Sequence, residues 1–453
     1  MMAAFTLSQF RSGIAYLALF FGASVFLPAS AAITVILACA AIFLGWSLLR
    51  PVARTIATLI LIVTALALAF DPRVLGSAMQ SMAGIVGLIL SVMVLSGVLG
   101  TSKDLEVISR SLFRGQSSSR YMGLSFGTGV LAIPLNFGSV GLVASMIGAR
   151  VKLSGDDAAS RNAARAVIRG FGASPMGSPL SVAVVMTVTL LPGLASWSLL
   201  AWSIPFAVTY LMMGIWFREK ETSGKDSIEM VESGSEDAAE ALGAWARFIG
   251  LALFVSLEAF AFNTWAGLRY SQAVTISCLT VAALCLLVRR VSTGTARLPT
   301  LANVVNELAI MGGASFLGGA LAVTALNSLG DDFALSAGAY SLAAFCIPWV
   351  FYLGGMVAVN PIVTATVIGG VMGPIWPQAS LVALGLGMVT GWGITIAGTP
   401  YSANALLLER FTGYHARIAA YGWNLKYSFL FLGLSGGLCA ALVLAAPILG
   451  QTS

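Results

Sequence analysis

Long apolar runs, each about the length of a bilayer crossing, alternate along this chain with short polar segments rich in Arg and Lys. A helix needs about 20 apolar residues to cross a hydrocarbon core roughly 30 Å thick. Runs of that kind occupy 10–27, 31–49, 55–70, 82–100, 162–192, 195–217, 248–268, 272–288, 303–326, 379–411 and 427–449. They predict an all-α polytopic membrane protein with about eleven transmembrane helices. Two further apolar stretches, 121–149 and 333–373, are interrupted near their middles. They are expected to be re-entrant hairpins; two full crossings would return the chain to the same side and satisfy the pattern equally well.

Charge placement sets the expected orientation. With the N-terminus in the cytoplasm, 22 of the 24 Lys and Arg fall in cytoplasmic segments, and only Arg73 and Arg269 fall outside. Such a bias follows the positive-inside rule. Only 9% of residues are charged, against roughly 25% in soluble proteins. That excludes a soluble enzyme, a disordered chain and a nucleic-acid-binding domain, and makes the bilayer itself the expected environment. The net charge of +6 then reports loop orientation, with no nucleic-acid partner expected. Arg11 precedes an apolar run without a small-residue cleavage site, so the first run reads as a retained span. The five Cys lie inside apolar runs, and the single His415 has no second His to pair with, so neither disulfide nor metal is expected. No nucleotide-binding Gly loop and no Ser/His/Asp set is present, so no catalytic residue is assigned.

The chain repeats itself in outline. Residues 1–54 hold the first two spans. A first repeat over 55–217 contains the interrupted stretch 121–149 and an interrupted span 162–192. A second repeat over 248–453 contains 333–373 and 379–411 in the same order. Between them, 218–247 carries Glu219, Glu221, Asp226, Glu229, Glu232, Glu236, Asp237 and Glu240 among Gly and Ser, and reads as a flexible, solvated cytoplasmic linker. Asp331 and Asp332 read as solvated residues of an outer loop. Short motifs recur in register. Pro134, Asn136, Gly138 and Ser139 in the first repeat answer Asn360, Pro361 and Thr364 in the second. Gly177, Ser178, Pro179 and Ser181 answer Gly398, Thr399, Pro400 and Ser402. The motifs lie 224 and 221 residues apart. An odd number of crossings between them would give the repeats inverted topology, as in secondary transporters.

The breaks have a physical reading. Asn360 before Pro361, Ser178 before Pro179 and Thr399 before Pro400 suit an N-cap followed by proline in the first helical position. Asn136 suits a cap for a helix running through Ser139. Half-helices starting inside the membrane present unpaired N–H groups and partial positive charge, which favour an anion. The candidate anion contacts are Asn136, Ser139, Ser178, Asn360, Thr364, Thr399 and Ser402. Backbone carbonyls near the breaks, at Gly138, Gly177 and Gly398, are candidates for a coupling cation. Glu258, roughly 15 Å into its span at 1.5 Å per residue, is either a protonation site or a scaffold contact. Glu307 reads as an interface residue near the start of its span.

At these residues the chain resembles the ion transporter superfamily, most nearly the divalent anion/sodium symporters that carry di- and tricarboxylates. Asn136 and Asn360 match the hairpin-tip Asn of that family. Ser178 with Pro179, and Thr399 with Pro400, match the Thr-Pro of its broken helices, while Leu180 and Tyr401 stand where the family has a second Pro. The resemblance implies a homodimer in a cell membrane of bacterial inner-membrane type, moving a small organic anion by an elevator motion coupled to Na⁺ or H⁺. It leaves open the large permease subunits that need a soluble binding protein, and the gluconate and arsenite carriers. A membrane-embedded enzyme of lipid or polysaccharide assembly, or a passive channel, is the alternative from outside the transporters.

Overall fold

The computed structural model describes residues 2–24, 27, 29–221, 235–294, 296–329 and 335–449. Among them every regular element is a helix, and the chain is an all-α polytopic membrane protein. Ten helices are long and apolar enough to cross a membrane: Pro51–Phe70, Arg73–Leu99, Ala158–Leu190, Ser196–Phe217, Ala238–Thr264, Tyr270–Ser292, Val305–Ala325, Ala337–Met356, Gln378–Thr412 and Ile418–Ala446. The two N-terminal runs are helical at Met2–Ala23 and Ser30–Leu44 but do not join this set. Gln9 and Arg11 dilute the first. The second has 15 residues, about 22 Å of helix at 1.5 Å per residue.

Burial sorts the helices. Gln378–Thr412 and Arg73–Leu99 are the most enclosed, with 89% and 78% of the residues in their 18-residue apolar stretch buried, against 28% in Pro51–Phe70 and Ala238–Thr264. The exposed faces of the outer helices carry Leu61, Leu66, Leu68, Leu253 and Leu257. Helices apolar on their outer as well as their inner faces are those of a protein dissolved in lipid.

Two packing groups result. Arg73–Leu99 collects Met2–Ala23, Ser30–Leu44, Tyr270–Thr293 and Gly313–Leu329 around it. In the other group, Ala158–Gly177 packs against Ser117–Leu135, Ser196–Met213 and Leu381–Gly398, and Leu381–Gly398 packs in turn on Ala337–Met356 and Leu425–Leu449. The two interrupted spans therefore cross each other at the centre. Glycine permits the approach: a Cβ on Gly172 would stand 2.6 Å from the Ala397 Cβ, and one on Gly393 would collide with the Gly172 carbonyl. Small residues at such crossings let helix backbones pack without a hydrophobic drive.

The first interrupted stretch is a helical hairpin of Ser117–Leu135 and Phe137–Ser154, and the second of Ala337–Met356 and Pro361–Met372. Pro361–Met372 has 12 residues, about 18 Å of helix, too short to cross the hydrocarbon core alone.

The linker departs from the expected solvated connector at both described ends. Asp226, Glu229 and Glu232 lie outside the described residues, as do Asp331 and Asp332. On the far side, helix Ser235–Thr264 already begins inside the acidic segment, because Ala238, Ala239 and Ala241 favour helix. On the near side, Glu219 pairs with Arg161 and Arg165, and Glu221 with Arg120. Asn162 donates to the Glu219 carbonyl and to the Glu221 carboxylate, both at 2.9 Å. Burial works to raise the Glu219 carboxyl, but the hydrogen bonds and charges of Arg161 and Arg165 outweigh it and hold the group below its usual range.

Candidate functional site

Both interrupted spans break in the same way, though not with the expected caps. Helix Ala158–Gly177 ends and Val182–Leu190 begins with Ser181 as its cap; the Ser181 hydroxyl accepts from the Val184 N–H at 3.1 Å. Helix Leu381–Gly398 ends and Ala403–Thr412 begins with Ser402, whose hydroxyl accepts from the Ala405 N–H at 3.2 Å. Ser178 and Thr399 instead open a four-residue turn. Ser181 N–H donates to the Ser178 carbonyl at 3.1 Å, and Ser402 N–H to the Thr399 carbonyl at 3.5 Å. Pro179 and Pro400 thus occupy the second position of a turn, which a φ near −65° suits as well as it suits the first turn of a helix.

The two hairpin tips differ from each other. Asn136 has φ 49° and ψ −129° and joins its two helices as a single residue. It does not cap: the following helix starts directly at Phe137, and no side-chain bond is made to it. Asn tolerates positive φ better than most residues, and here it serves as the corner itself. Its carbonyl accepts from the Ser139 N–H at 3.1 Å and from the Ser139 hydroxyl at 2.8 Å. Asn360 has φ −68°, and its Oδ1 accepts from the Ile362 N–H at 2.9 Å, with Pro361 opening the helix. The positive φ of this tip is carried two residues earlier, by Ala358 at 66°.

Tips and turns enclose a cavity of about 350 Å³, in the range of small-ligand sites. Asn136, Asn360, Thr399 and Ser402 line it, joined by Ser174, Ser181, Thr395 and Tyr401. Phe171 and Trp392 add apolar wall. Arg50, Asn306, Glu307, Ile310 and Met311 also line it. Asn306 fixes this part of the lining: its Oδ1 accepts from the Arg50 N–H at 2.8 Å, and its Nδ2 donates to the Leu48 carbonyl at 3.2 Å. Glu307 precedes a π-helical turn, Leu308–Gly312, an insertion common at functional sites. One Glu307 carboxylate oxygen is buried without a partner.

The remaining expected residues stand off the cavity. Ser139 is buried and bonded to the Asn136 carbonyl; Ser178 is buried in its turn with an unpartnered hydroxyl; Thr364 is buried one turn into its helix. Gly138 lies within helix Phe137–Ser154, Gly177 closes helix Ala158–Gly177, and the Gly398 carbonyl accepts from the Tyr352 hydroxyl at 3.2 Å. Glu258 belongs to helix Ser235–Thr264 and bonds Thr280 of helix Tyr270–Thr293, away from the cavity lining.

Behind the crossing, Arg169 is wholly buried, without a carboxylate partner among the described residues. Its Nε donates to Asn424 Oδ1 at 2.8 Å, and its Nη1 to the Tyr121 hydroxyl at 2.8 Å and the Gly214 carbonyl at 3.1 Å. Nη2 donates to the Trp423 carbonyl at 3.0 Å, and the guanidinium lies 4.3 Å from the centre of the Tyr427 ring. Asn424 in turn donates to the Ala397 carbonyl at 3.2 Å, two residues before Thr399. A buried charge persists only when hydrogen-bonded in this way, so Arg169 ties the first hairpin, the first broken helix and the second broken helix into one unit.

No protein-family profile and no curated protein matches the chain. Among solved structures it is similar to MtrF of Neisseria gonorrhoeae, described as illuminating a class of antimetabolite efflux pumps. The TM-score is 0.50 at 14% identity, over 84% of this chain and 85% of MtrF. The chain has the fold of a membrane transporter. At this identity the likeness is one of fold and does not extend to the divalent anion symporter type.

Proposed function

We propose that the chain is a secondary active transporter that carries a small anion, driven by a cation gradient. The observation that carries this reading is the convergence of two hairpin tips and two broken-helix turns on one cavity, around Asn136, Ser181, Asn360 and Ser402. Three of the half-helices that meet there begin with a side-chain cap. Their N-termini add partial positive charge, and Arg50 is the single cation lining the cavity. Side-chain amides and hydroxyls supply the remaining polar contacts. The fold likeness to MtrF and the motif resemblance to the divalent anion/sodium symporters both favour transport over catalysis. Alternating access is by elevator: the first hairpin and the two broken helices, bound together through Arg169, shift with the second hairpin against the helices gathered around Arg73–Leu99. The protein acts as a homodimer with its N-terminus in the cytoplasm, the side the distribution of Arg and Lys favours.

Counterflow in liposomes reconstituted with the full chain tests the reading, with labelled succinate, citrate, sulfate and benzoate as probes. The expected result is saturable exchange of at least one probe that falls sharply in both Asn136→Ala and Asn360→Ala. Exchange of none, or unchanged exchange in both variants, overturns it.

A further inference from the structure

Arg50 and Glu307 are the only charged residues among those lining the cavity. They are 257 positions apart, and the bond between Arg50 and Asn306 makes them neighbours in the lining. Asn306, the neighbour of Glu307, accepts from the Arg50 backbone N–H at 2.8 Å, so the two residues are anchored side by side. No salt bridge joins the two side chains. The unpartnered, buried carboxylate oxygen of Glu307 is the second unusual feature, since buried polar atoms normally find a partner. The π-helical turn that follows Glu307 is the third.

The cavity's formal charge is therefore zero with Glu307 ionised and +1 with Glu307 protonated. An entering anion meets a carboxylate in the first case, and a cation plus a neutral O–H donor in the second. Because the Glu307 oxygen is buried, solvent screens this difference less there than at the protein surface. We propose that the binding of one anionic charge in this cavity takes up one proton at Glu307. The inference rests on the transport reading. The proton comes from water and binds a Glu307 carboxylate oxygen; the neutral carboxyl then donates to the anion, and Arg50 supplies the countercharge. Linkage makes the effect reciprocal: raising the pH expels the anion as surely as the anion draws in the proton.

No other group competes for this role. The elements packed on the π-helical turn are Ser30–Leu44, Pro51–Phe70, Arg73–Leu99 and Gly313–Leu329. Their titratable or charged residues among those described are Cys39, Arg54 and Arg73. Cys39 and Arg54 are exposed. Arg73 is 19 positions from Val92, the cavity-lining residue of its helix, or about 28 Å along the axis. Besides Arg50 and Glu307, Tyr401 is the one titratable side chain that lines the cavity.

The test measures counterflow KM against pH for the wild-type chain, Glu307→Gln and Glu307→Asp in liposomes, with benzoate, succinate, citrate and sulfate as probes. Titration of a probe itself affects all three proteins alike and cancels in the comparison. Wild-type KM is expected to rise by about tenfold per pH unit on its alkaline limb, the slope of one linked proton. Glu307→Gln is expected to be flat relative to wild type, and Glu307→Asp to restore the slope. A Glu307→Gln slope equal to that of wild type, or a flat wild-type profile, overturns the proposal. A second arm needs no transported probe: dicyclohexylcarbodiimide, which reacts with protonated carboxyls in membranes, is expected to label Glu307 more strongly as pH falls. Labelling of Glu307 that is absent or independent of pH overturns the proposal. If no anion exchanges at all, the transport reading fails, and the labelling arm still decides whether Glu307 titrates.

Discussion

The two hairpin tips carry the same residue type and use it in opposite ways. At the first, Asn136 is the corner: it takes the positive φ and leaves its amide without a capping duty. At the second, Ala358 takes the positive φ and Asn360 spends its Oδ1 on the Ile362 N–H. The broken-helix turns, by contrast, are near copies. Ser181 and Ser402 both have φ −68°, with ψ 140° and 144°, and both cap in the same register. A turn whose shape is set by a proline and a serine cap reproduces itself from a short motif. A tip whose shape depends on which residue absorbs the left-handed conformation does not. The two tips therefore bring different liabilities to one cavity, and substitutions separate them.

The largest effect is expected at Asn136. Asn136→Ala removes the amide and places Ala at φ 49°, which costs roughly 1–2 kcal/mol. Counterflow should fall by about a hundredfold, the scale on which a displaced positioning group acts. Asn136→Gly accepts the dihedral without strain. It should recover the thermal stability lost in Asn136→Ala while leaving counterflow low. Recovery of both would make Asn136 a backbone corner alone and dissolve the contrast between the tips.

At Asn360 the two roles separate differently. Asn360→Ala should lose about 1 kcal/mol with the cap, read as a lower unfolding midpoint in detergent, together with much of the counterflow. Asn360→Ser keeps a capping oxygen and should melt near wild type; any remaining loss of counterflow then belongs to the Asn360 amide in the cavity. A smaller effect of opposite sign is expected next door. Ala358→Gly relieves an Ala held at φ 66°, offset by the greater freedom of Gly in the unfolded chain. A gain of under about 1 kcal/mol follows, visible as a raised midpoint.

The same contrast explains what was legible in the sequence. Hydropathy found the spans because lipid demands a continuous apolar surface; the two N-terminal runs are helical too, one diluted by Arg11 and the other 15 residues long. The motifs located all four breaks. Asn360 caps as its motif predicts, while the two broken-helix caps lie three residues later than their motifs predict, because proline suits both the second position of a turn and the first turn of a helix. Ser181 and Ser402 stood in those motifs as their last members, so the cap was on the page but assigned to the wrong hydroxyl. Asn136 could not be told from Asn360, since positive φ leaves no mark on a residue able to adopt it. Arg50 and Glu307 were hidden for another reason. Each sits at the end of an ordinary span, and only packing of distant helices makes them neighbours in the lining.

The smallest effect concerns the ends of the two halves. The first half is stapled by the Glu219 and Glu221 network to Arg120, Arg161 and Arg165. At the end of the second broken helix, the comparable contact is Glu409 with His415 at 3.0 Å, and its His is exposed. Glu219 is itself about a third exposed, so solvent screening limits its worth to the range of surface pairs, under about 1 kcal/mol. The sign follows from its carboxyl being held below the ordinary range in the folded protein. Its contribution is complete above the unfolded carboxylate pKa and is lost as pH falls through the lower folded value. Wild type should therefore lose a little more stability than Glu219→Gln over that acidic window, and the two midpoints should converge at its bottom. High salt should narrow the gap between them at neutral pH. A gap that persists unchanged in salt would mean that Glu219 acts through its hydrogen bonds and packing rather than its charge, and the first half would then be no more electrostatically stapled than the second.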